Sequence, residues 1–248
     1  MMPGTAATEA LTAAGVSKRF GGLVAVENMS FKLAEKEVLG LIGPNGSGKT
    51  TMMNLISGAL KPSVGEIRLY GDNVTGIGAS KVARKGVART FQLVRMLPGM
   101  TALENVAAGG VFGHARRWGA ELDDYAHALL RRVGLPNAGG ALVSALTYID
   151  QKRVELARAL ASDPKVLLLD EWLAGLNPTE LKIGIALIEQ LRVEGCTIII
   201  VEHVMHAIRS LCDRCIVMNS GAKIAEGTPA EVLADHGVIQ AYLGVADA

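Results

Sequence analysis

The chain has few of the features that mark membrane-spanning, secreted or nucleic-acid-binding proteins. Among its 248 residues, no apolar run reaches the roughly 18 residues that a membrane helix requires, so we expect that the chain does not itself cross a bilayer. Lys and Arg number 25 against 24 Asp and Glu, which leaves no excess positive charge to attract DNA or RNA. Residues 1–12 lack the basic and apolar regions of a secretory signal, and we expect a frayed lead-in there.

Cysteine is also scarce. The three cysteines, Cys196, Cys212 and Cys215, are an odd number, which argues against a disulfide framework. The last two form a C-x-x-C, but no second pair follows, as a structural zinc site would need. We therefore expect buried apolar thiols, in a chain long enough for one large domain or a domain with a sub-lobe.

A glycine-rich segment with the spacing G-x-x-x-x-G-K-T follows an apolar run at 38–42 that predicts a buried strand. Its glycines let the backbone turn its N–H groups towards phosphate oxygens. Lys49 then reaches the β- and γ-phosphates, the Thr50 hydroxyl ligates Mg²⁺, and a helix predicted over 51–60 points its N-terminus at the anion. We predict ATP and Mg²⁺ as ligands of this loop. The loop residues are Gly43, Pro44, Asn45, Gly46, Ser47, Gly48, Lys49, Thr50 and Thr51.

Hydrophobic periodicity predicts an α/β protein with a mostly parallel core sheet. Short strands are expected first, then a helical stretch over 102–146 with an amphipathic helix at 121–133, and then alternating helices and apolar strands. The predicted strands lie at 23–26, 29–33, 38–42, 65–69, 166–170, 197–201 and 214–219. The predicted helices of the C-terminal half lie at 151–161, 179–193 and 205–211.

Acidic and imidazole side chains follow two of the apolar strands. Asp170 and Glu171 end the strand at 166–170, and Glu202 and His203 follow the strand at 197–201. Ligands of open α/β sheets lie beyond the carboxyl ends of the strands, so we expect these groups beside the phosphate loop. Asp170 would hold Mg²⁺, Glu171 would polarise an attacking water as general base, and His203 would contact the γ-phosphate or that water.

The chain resembles the nucleotide-binding subunits of ATP-binding cassette (ABC) transporters over nearly its whole length. The motif order carries the resemblance: Phe20 at the adenine-stacking position, the phosphate loop, Gln92 as lid glutamine, Asp170-Glu171, Gly175-Leu176-Asn177 as dimer-contact loop, and His203 as switch histidine. The resemblance implies the P-loop ABC-ATPase fold, with an antiparallel β subdomain and a helical subdomain. It implies one domain over 1–248, with a nucleotide-binding core and β subdomain at 8–91 and 151–248 and a helical subdomain at 92–150.

The same resemblance implies a mechanism and partners. Gln92 would sense Mg²⁺ and the γ-phosphate, and ATP would lie between two such domains arranged head to tail. The implied partners are transmembrane permease subunits, a second ATPase subunit and, indirectly, a substrate-binding protein. The subunit would then lie peripherally on the cytoplasmic face of the membrane.

Residues 146–158, the loop 174–178 and the ending 241–244 are similar to ATPase subunits of branched-chain amino-acid uptake systems. The lipopolysaccharide-export ATPase is a rival of comparable length. A P-loop small-molecule kinase and a soluble ABC ATPase acting on DNA or ribosomes are alternatives of other classes. The kinase would need an acceptor pocket and lid arginines, and the soluble ATPase would usually carry two cassettes or a long coiled-coil insertion.

The signature segment is degenerate. Ile149 stands where the family has a glycine whose N–H reaches the γ-phosphate of the partner's site, and a β-branched side chain restricts that approach. Because each signature completes the opposite site, we expect a heterodimer in which an intact partner signature completes this chain's loop. A homodimer is the alternative. Trp172 and Val204 replace the proline and aspartate common in the family.

Two further surfaces have less specific interpretations. The simplest interpretation of four basic residues near the phosphate loop is that they form a solvated helix face. These are Lys81, Arg84, Lys85 and Arg89. Apolar residues directly after Gln92 suit either a coupling groove for a partner's helix or the core. These are Leu93, Val94, Met96, Leu97 and Pro98.

Overall fold

The computed structural model describes residues 8–243. Within that range the strands are β1 (Glu9–Phe20), β2 (Leu23–Ala34), β3 (Val38–Ile42), β4 (Val64–Leu69), β5 (Asp72–Asn73), β6 (Val87–Arg89), β7 (Val166–Asp170), β8 (Ile198–Val201), β9 (Arg214–Asn219) and β10 (Ala222–Gly227). The helices are α1 (Lys49–Ile56), α2 (Ala79–Arg84), α3 (Ala102–Phe112), α4 (Gly119–Arg132), α5 (Tyr148–Ala161), α6 (Pro178–Val193), α7 (Met205–Leu211), α8 (Pro229–Ala234) and α9 (His236–Leu243).

The core is a six-stranded sheet in the order β10-β9-β3-β8-β7-β6. All neighbours pair in parallel except β10, which pairs antiparallel with β9. Strands β3, β7 and β8 are buried at every position, because helices cover one face of the sheet and α1 together with a second sheet covers the other. The predicted α/β class with a mostly parallel sheet is therefore confirmed. The carboxyl ends of β3, β7 and β8 lie at one edge, where the phosphate loop, the acidic pair and His203 follow them.

A second sheet is antiparallel, in the order β2-β1-β4-β5. Its strand β1 includes residues 9–12, so the expectation of a frayed lead-in over residues 1–12 is wrong for that part, and residues 1–7 lie outside the described range. Four β1 side chains are buried in a cluster that this sheet forms with α1 and one face of the six-stranded sheet. They are Ala10, Leu11, Ala13 and Val16. Alanine and glycine dilute the apolar alternation of this strand, which is why its pattern does not stand out.

Helices α3, α4 and α5 pack together beside the sheet, and α3 lies against the C-terminal part of α5, where a Cβ on Gly109 would lie 2.1 Å from the Arg158 carbonyl oxygen. A capping box starts α3: the Thr101 hydroxyl accepts from the Glu104 N–H, and the Glu104 carboxylate accepts from the Thr101 N–H. The predicted boundary at residue 150 falls within the first turn of α5, which runs on unbroken into the core. The division into subdomains therefore stays a prediction.

Most predicted elements occur with small shifts in their ends, but the two strands predicted at 23–26 and 29–33 form one continuous strand, β2. The helix predicted at 51–60 begins at Lys49 and ends at Ile56, since residues 57–60 form turns. The short elements β5, β6, α2 and α8 have too few residues to produce a detectable period. Across residues 8–243, no helix has both the length and the apolar character to cross a membrane.

Candidate active site

The phosphate loop connects the end of β3 to the start of α1, and its backbone requires glycine. Gly43 and Gly48 have φ of 146° and 101°, which L side chains rarely adopt. A Cβ on Gly43 would lie 2.1 Å from the Met218 carbonyl oxygen, and one on Gly48 would lie 2.4 Å from that of Ala25. The loop is thus packed between β2 and the end of β9, with the N–H groups at the start of α1 facing an open cavity.

Lys49 is the first residue of α1 and only 5% exposed. Its Nζ donates hydrogen bonds to the carbonyl oxygens of Gly43, at 2.8 Å, and Pro44, at 2.9 Å. Burial lowers the pKa of the ammonium, and the nearby charges of Glu171 and Asp170 oppose that effect. The loop therefore holds a cation over its own concave side, where a phosphate chain would need one.

A cavity of about 520 Å³ opens on the loop. It is lined by Leu23, Val24, Ala25, Asn45, Gly46, Ser47, Gly48, Lys49, Thr50, Thr51, Glu171, Ser220 and Gly221. The predicted adenine-stacking residue, Phe20, lies at the end of β1 with 45% exposure, and the Lys18 Nζ is 5.0 Å from its ring centre. Phe20 presents an accessible aromatic face near the cavity but is not part of its lining.

The carboxylate of Glu171 joins two residues that are distant in sequence. Its Oε2 accepts from Gln92 Nε2 at 2.6 Å, and its Oε1 lies 2.9 Å from His203 Nε2. The Glu171 backbone has φ of +48°, which is unusual for a residue other than glycine. Glu171 also lines the phosphate cavity. The structure thus brings together Gln92, Glu171 and His203, three residues that the sequence predicted for the site. The Glu171 carboxylate is directed towards the phosphate loop.

The three predicted metal ligands, Thr50, Gln92 and Asp170, line one further cavity beside the phosphate cavity. Thr50 belongs to both linings. A hydroxyl, an amide oxygen and a carboxylate are oxygen donors of the kind that Mg²⁺ prefers, so the donor set fits that ion. Asp170 Oδ2 also accepts from Arg89 Nη2 at 2.5 Å, in a buried ion pair.

The expectation that Arg89 lies on a solvated helix face is wrong. Arg89 is the last residue of β6, and its side chain is only 7% exposed. Besides Asp170 it donates to Asn54 Oδ1 at 2.7 Å and to Ser57 Oγ at 3.2 Å, both on the α1 side of the site. A three-residue strand gives no periodicity, so the sequence did not reveal that this arginine points inwards.

Sequence reasoning also missed Ser220 and Gly221, which form the β9–β10 turn and line the phosphate cavity. The Gly221 N–H donates to the Ser47 carbonyl at 3.0 Å, which fixes the turn against the loop. The dipeptide Ser-Gly after an apolar strand is a turn signal. That signal predicts the hairpin, but the packing of the hairpin on the loop depends on contacts between distant residues.

The degenerate signature segment forms the N-terminus of α5. Thr147 is the N-cap: its hydroxyl accepts from the Asp150 N–H at 3.3 Å and donates to the Asp150 carboxylate at 2.8 Å. Ile149 is buried, at 8% exposure. The N-terminus of α5 therefore carries a β-branched residue where a glycine would allow close backbone approach, and its Asp150 carboxylate also accepts from Arg153 Nη1 at 3.1 Å.

The predicted dimer-contact loop ends in a structural cap. The Asn177 side chain accepts hydrogen bonds from the N–H groups of Thr179 and Glu180, both at 3.0 Å, and the Glu180 carboxylate accepts one from the Asn177 N–H at 2.9 Å. Pro178 follows at the first helical position. Gly175 faces Tyr148, so the loop lies against the signature segment.

An apolar groove of about 340 Å³ lies between α3, α5 and β6. Phe91, Ala108, Gly109, Phe112 and Ala159 line it, and Phe112 is exposed. Next to it, Leu93 is 78% exposed while Met96 packs against the core. The apolar residues after Gln92 thus divide between surface and core.

Comparison with protein-family models matches residues 26–174 to the family described as ABC transporter. The chain belongs to the ABC transporter family. A second model, described as branched-chain amino acid ATP-binding cassette transporter, matches residues 222–248 of this ABC transporter chain. Membership of the family excludes the small-molecule kinase alternative.

Individual proteins agree with this assignment. The ABC transporter chain is 41% identical over 250 residues to the high-affinity branched-chain amino acid transport ATP-binding protein BraF of Pseudomonas aeruginosa, with 95% of this chain and 98% of BraF covered. It is 40% identical over 250 residues to LivG of Escherichia coli K12, with the same coverage.

Solved structures agree as well. The ATP-binding cassette MJ1267 in its ADP conformation has a TM-score of 0.87 and 29% identity, covering 95% of this chain and 99% of that one. The dimeric cassette MJ0796 has a TM-score of 0.80 and 27% identity, covering 88% and 98%. The ABC-ATPase fold is thus confirmed, and this chain is a nucleotide-binding ATPase. Subunits of its family dimerise and work with transmembrane permease subunits.

Proposed function

We propose that this chain hydrolyses ATP to drive the import of branched-chain amino acids or related compounds, from the cytoplasmic face of the membrane. The match of residues 222–248 to the branched-chain amino acid cassette model carries the cargo assignment. The names of BraF and LivG point the same way, which favours import over lipopolysaccharide export.

ATP enters the cavity with its phosphates against the N–H groups of the loop and the N-terminus of α1. The Lys49 ammonium exchanges its bonds to the Gly43 and Pro44 carbonyls for the β- and γ-phosphates. Thr50, Gln92 and Asp170 would hold Mg²⁺, which supplies positive charge that offsets the charge developing on the phosphate oxygens.

Glu171 is the general base that orients and polarises the attacking water. Gln92 and His203 each approach one of its carboxylate oxygens, which restricts the rotation of that carboxylate. His203 offsets phosphate charge as the bond to the leaving group breaks, and Phe20 stacks on adenine. The hydrogen bond from Gln92 to Glu171 links the base to the segment that precedes the helices α3 and α4.

The permease subunit supplies a helix that docks in the apolar groove of about 340 Å³ beside Phe91 and Phe112. Gln92 follows Phe91 directly, so occupation of the groove and of the nucleotide site involves one continuous segment. Closure of two ATPase domains around ATP then moves the permease helices, and hydrolysis allows the dimer to reopen.

The second ATPase subunit is a different chain that carries an intact signature. Ile149 and the Asp150 carboxylate weaken the signature that this chain presents to its partner, whereas its own loop, base and histidine are complete. One composite site of the dimer is therefore strong and the other weak. A substrate-binding protein would deliver the cargo to the permease.

The cargo is tested by uptake of radiolabelled leucine in cells that lack the chain. We expect high-affinity uptake to be lost and to return with the wild-type chain but not with Lys49→Ala. Uptake of an unrelated cargo such as maltose serves as control. Normal leucine uptake in the deletion strain would contradict the cargo assignment while leaving the ATPase assignment intact.

The asymmetry is tested by repairing the signature. Ile149→Gly with Asp150→Gln removes the β-branched side chain and the carboxylate from the N-terminus of α5, so the weak site should gain turnover. We expect ATP hydrolysis by the purified transporter to rise by up to about twofold, because a second site adds its own rate. A lower rate in the repaired variant would contradict the asymmetric model. Ile183→Gly, an exposed change on α6, is the matched control.

A further inference from the structure

Two fully buried residues near Glu171 exchange hydrogen bonds. The Lys152 Nζ donates to the Trp172 carbonyl at 2.9 Å, and the Trp172 indole Nε1 donates to the Lys152 carbonyl at 3.2 Å. Both side chains have 0% exposure. This reciprocal pair ties the early part of α5 to the residue that follows Glu171.

The backbone at Glu171 requires such support. Its φ of +48° is strained for a residue with a Cβ and persists only where its surroundings determine it on both sides. On one side the Glu171 N–H donates to the Val201 carbonyl at 2.8 Å. On the other side the Glu171 carbonyl accepts from the Ala174 N–H at 3.1 Å, and the carbonyl of the following residue, Trp172, accepts from Lys152. Loss of the bond from Lys152 would let the backbone after Glu171 relax and move the carboxylate.

The restraint extends to the residue before His203. The Leu173 N–H donates to Glu202 Oε1 at 2.7 Å, and Glu202 is 2% exposed. Burial raises the pKa of Glu202 to about 7, against the effects of the Leu173 N–H and the Lys152 charge. Lys152 is thus the buried cation for a carboxylate that holds the loop after Glu171.

A second buried acid lies on the Gln92 side. Glu155, one turn along α5 from Lys152, is 1% exposed, and its Oε1 accepts from the Arg95 N–H at 3.0 Å. Burial raises the pKa of Glu155, and the charges of Arg158 and Lys152 oppose this. Arg95 lies three residues after Gln92. Buried carboxylates whose charges act on Lys152 therefore hold both the segment after Gln92 and the loop after Glu171.

We propose that Lys152 and Trp172 are positioning residues that hold the Glu171 carboxylate between Gln92 and His203. The proposal rests on the proposed role of Glu171 as general base. Trp172 occupies the position at which the family commonly has proline, whose ring fixes its own φ. In this chain a hydrogen-bonded lysine and indole provide the restraint instead.

The test uses Lys152→Met and Trp172→Phe in the assembled transporter. Methionine keeps most of the apolar stem without the ammonium, and phenylalanine keeps an aromatic ring without the indole N–H. We expect kcat to fall at least about tenfold in Lys152→Met, since small misplacements of catalytic groups are costly. The kcat of Trp172→Phe should fall by a smaller factor. The KM for ATP should change by less than about twofold, since the phosphate loop is untouched.

Val154→Ala is the matched control. Val154 lies on the same helix and is fully buried in the core, so its replacement removes packing while the hydrogen bonds between Lys152 and Trp172 remain. It should lower the melting temperature but leave kcat per folded complex unchanged. An equal fall of kcat in Val154→Ala would show that loss of packing alone explains the effect, and would overturn the proposal.

Combination with Glu171→Gln separates positioning from other roles. If Lys152 acts through Glu171, Lys152→Met will not lower the residual rate of Glu171→Gln further, whereas independent effects multiply. A second readout needs no hydrolysis. In the purified chain, Trp118→Phe leaves Trp172 as the remaining one of two tryptophans, and Lys152→Met should then shift the emission of Trp172 to longer wavelength as water enters.

The outcomes distinguish the two claims. High activity in Glu171→Gln would overturn the proposed role of Glu171 as general base. Loss of activity in Glu171→Gln together with wild-type kcat in both Lys152→Met and Trp172→Phe would overturn the positioning role alone. A rise in KM without a change in kcat would also overturn it.

Discussion

Glu171→Gln will reduce ATP hydrolysis by the assembled transporter by about 10² to 10⁴-fold, the usual contribution of a general base. Glutamine has the same shape but cannot accept a proton from water. The substitution leaves the phosphate loop and Lys49 in place, so we expect nucleotide binding to persist. The two effects are measured separately, by phosphate release and by equilibrium binding of a fluorescent ATP analogue.

Glu189→Gln is the control for Glu171→Gln. Glu189 lies on α6 and pairs with Arg192 at the surface, so its replacement removes a carboxylate without affecting the site. It should hydrolyse ATP at the wild-type rate. If Glu171→Gln also retained more than about a tenth of the wild-type rate, Glu171 would not be the base, because that loss is below the usual effect of one.

Gly48→Ala will abolish nucleotide binding, with an affinity at least about 100-fold lower. The added Cβ would lie 2.4 Å from the Ala25 carbonyl oxygen, and the φ of 101° is strained for alanine, at about 1–3 kcal/mol. Because the Ala25 carbonyl belongs to the backbone, it cannot move away from the new Cβ as a flexible side chain would. The start of α1 must therefore shift. Lys49 and Thr50 shift with it. Equilibrium binding of the fluorescent analogue measures the loss.

Gly71→Ala separates torsional strain from the steric effect. Gly71 has φ of 82°, and its added Cβ would meet nothing within 4 Å. It lies in the turn before β5, in the sheet that carries no acidic site residue. Gly71→Ala should therefore lose some stability while binding the analogue normally. Wild-type affinity in Gly48→Ala would contradict the assigned role of the loop.

Local patterns account for much of what the sequence could predict. The phosphate loop is contiguous, so its glycine spacing defines a turn without reference to the rest of the chain. Asp170, Glu171 and His203 follow apolar strands, and a parallel sheet brings such strand ends to one edge. The bond of Glu171 to Gln92, 79 residues away, could be expected only through the family resemblance.

The remaining features depend on contacts that no local pattern contains. Arg89 lies in a three-residue strand and points inwards because Asp170, Asn54 and Ser57 accept its hydrogen bonds. The exchange between Lys152 and Trp172 spans 20 residues and places a lysine where burial is ordinarily unfavourable. Ionic and hydrogen-bonding partners of this kind are determined by tertiary packing. The sequence alone therefore could not indicate that Lys152 is buried rather than exposed.

The most direct test of the account compares ATP hydrolysis by the chain purified alone with hydrolysis by the chain co-expressed with its partner ATPase and permease subunits. Because Ile149 and Asp150 occupy the signature that a homodimer would place in both sites, we predict negligible turnover alone and substantial turnover in the mixed complex. Glu171→Gln should abolish the turnover of the complex. Rapid hydrolysis by the chain alone would contradict the asymmetric model, and hydrolysis by the complex that survived Glu171→Gln would contradict the assigned catalytic site.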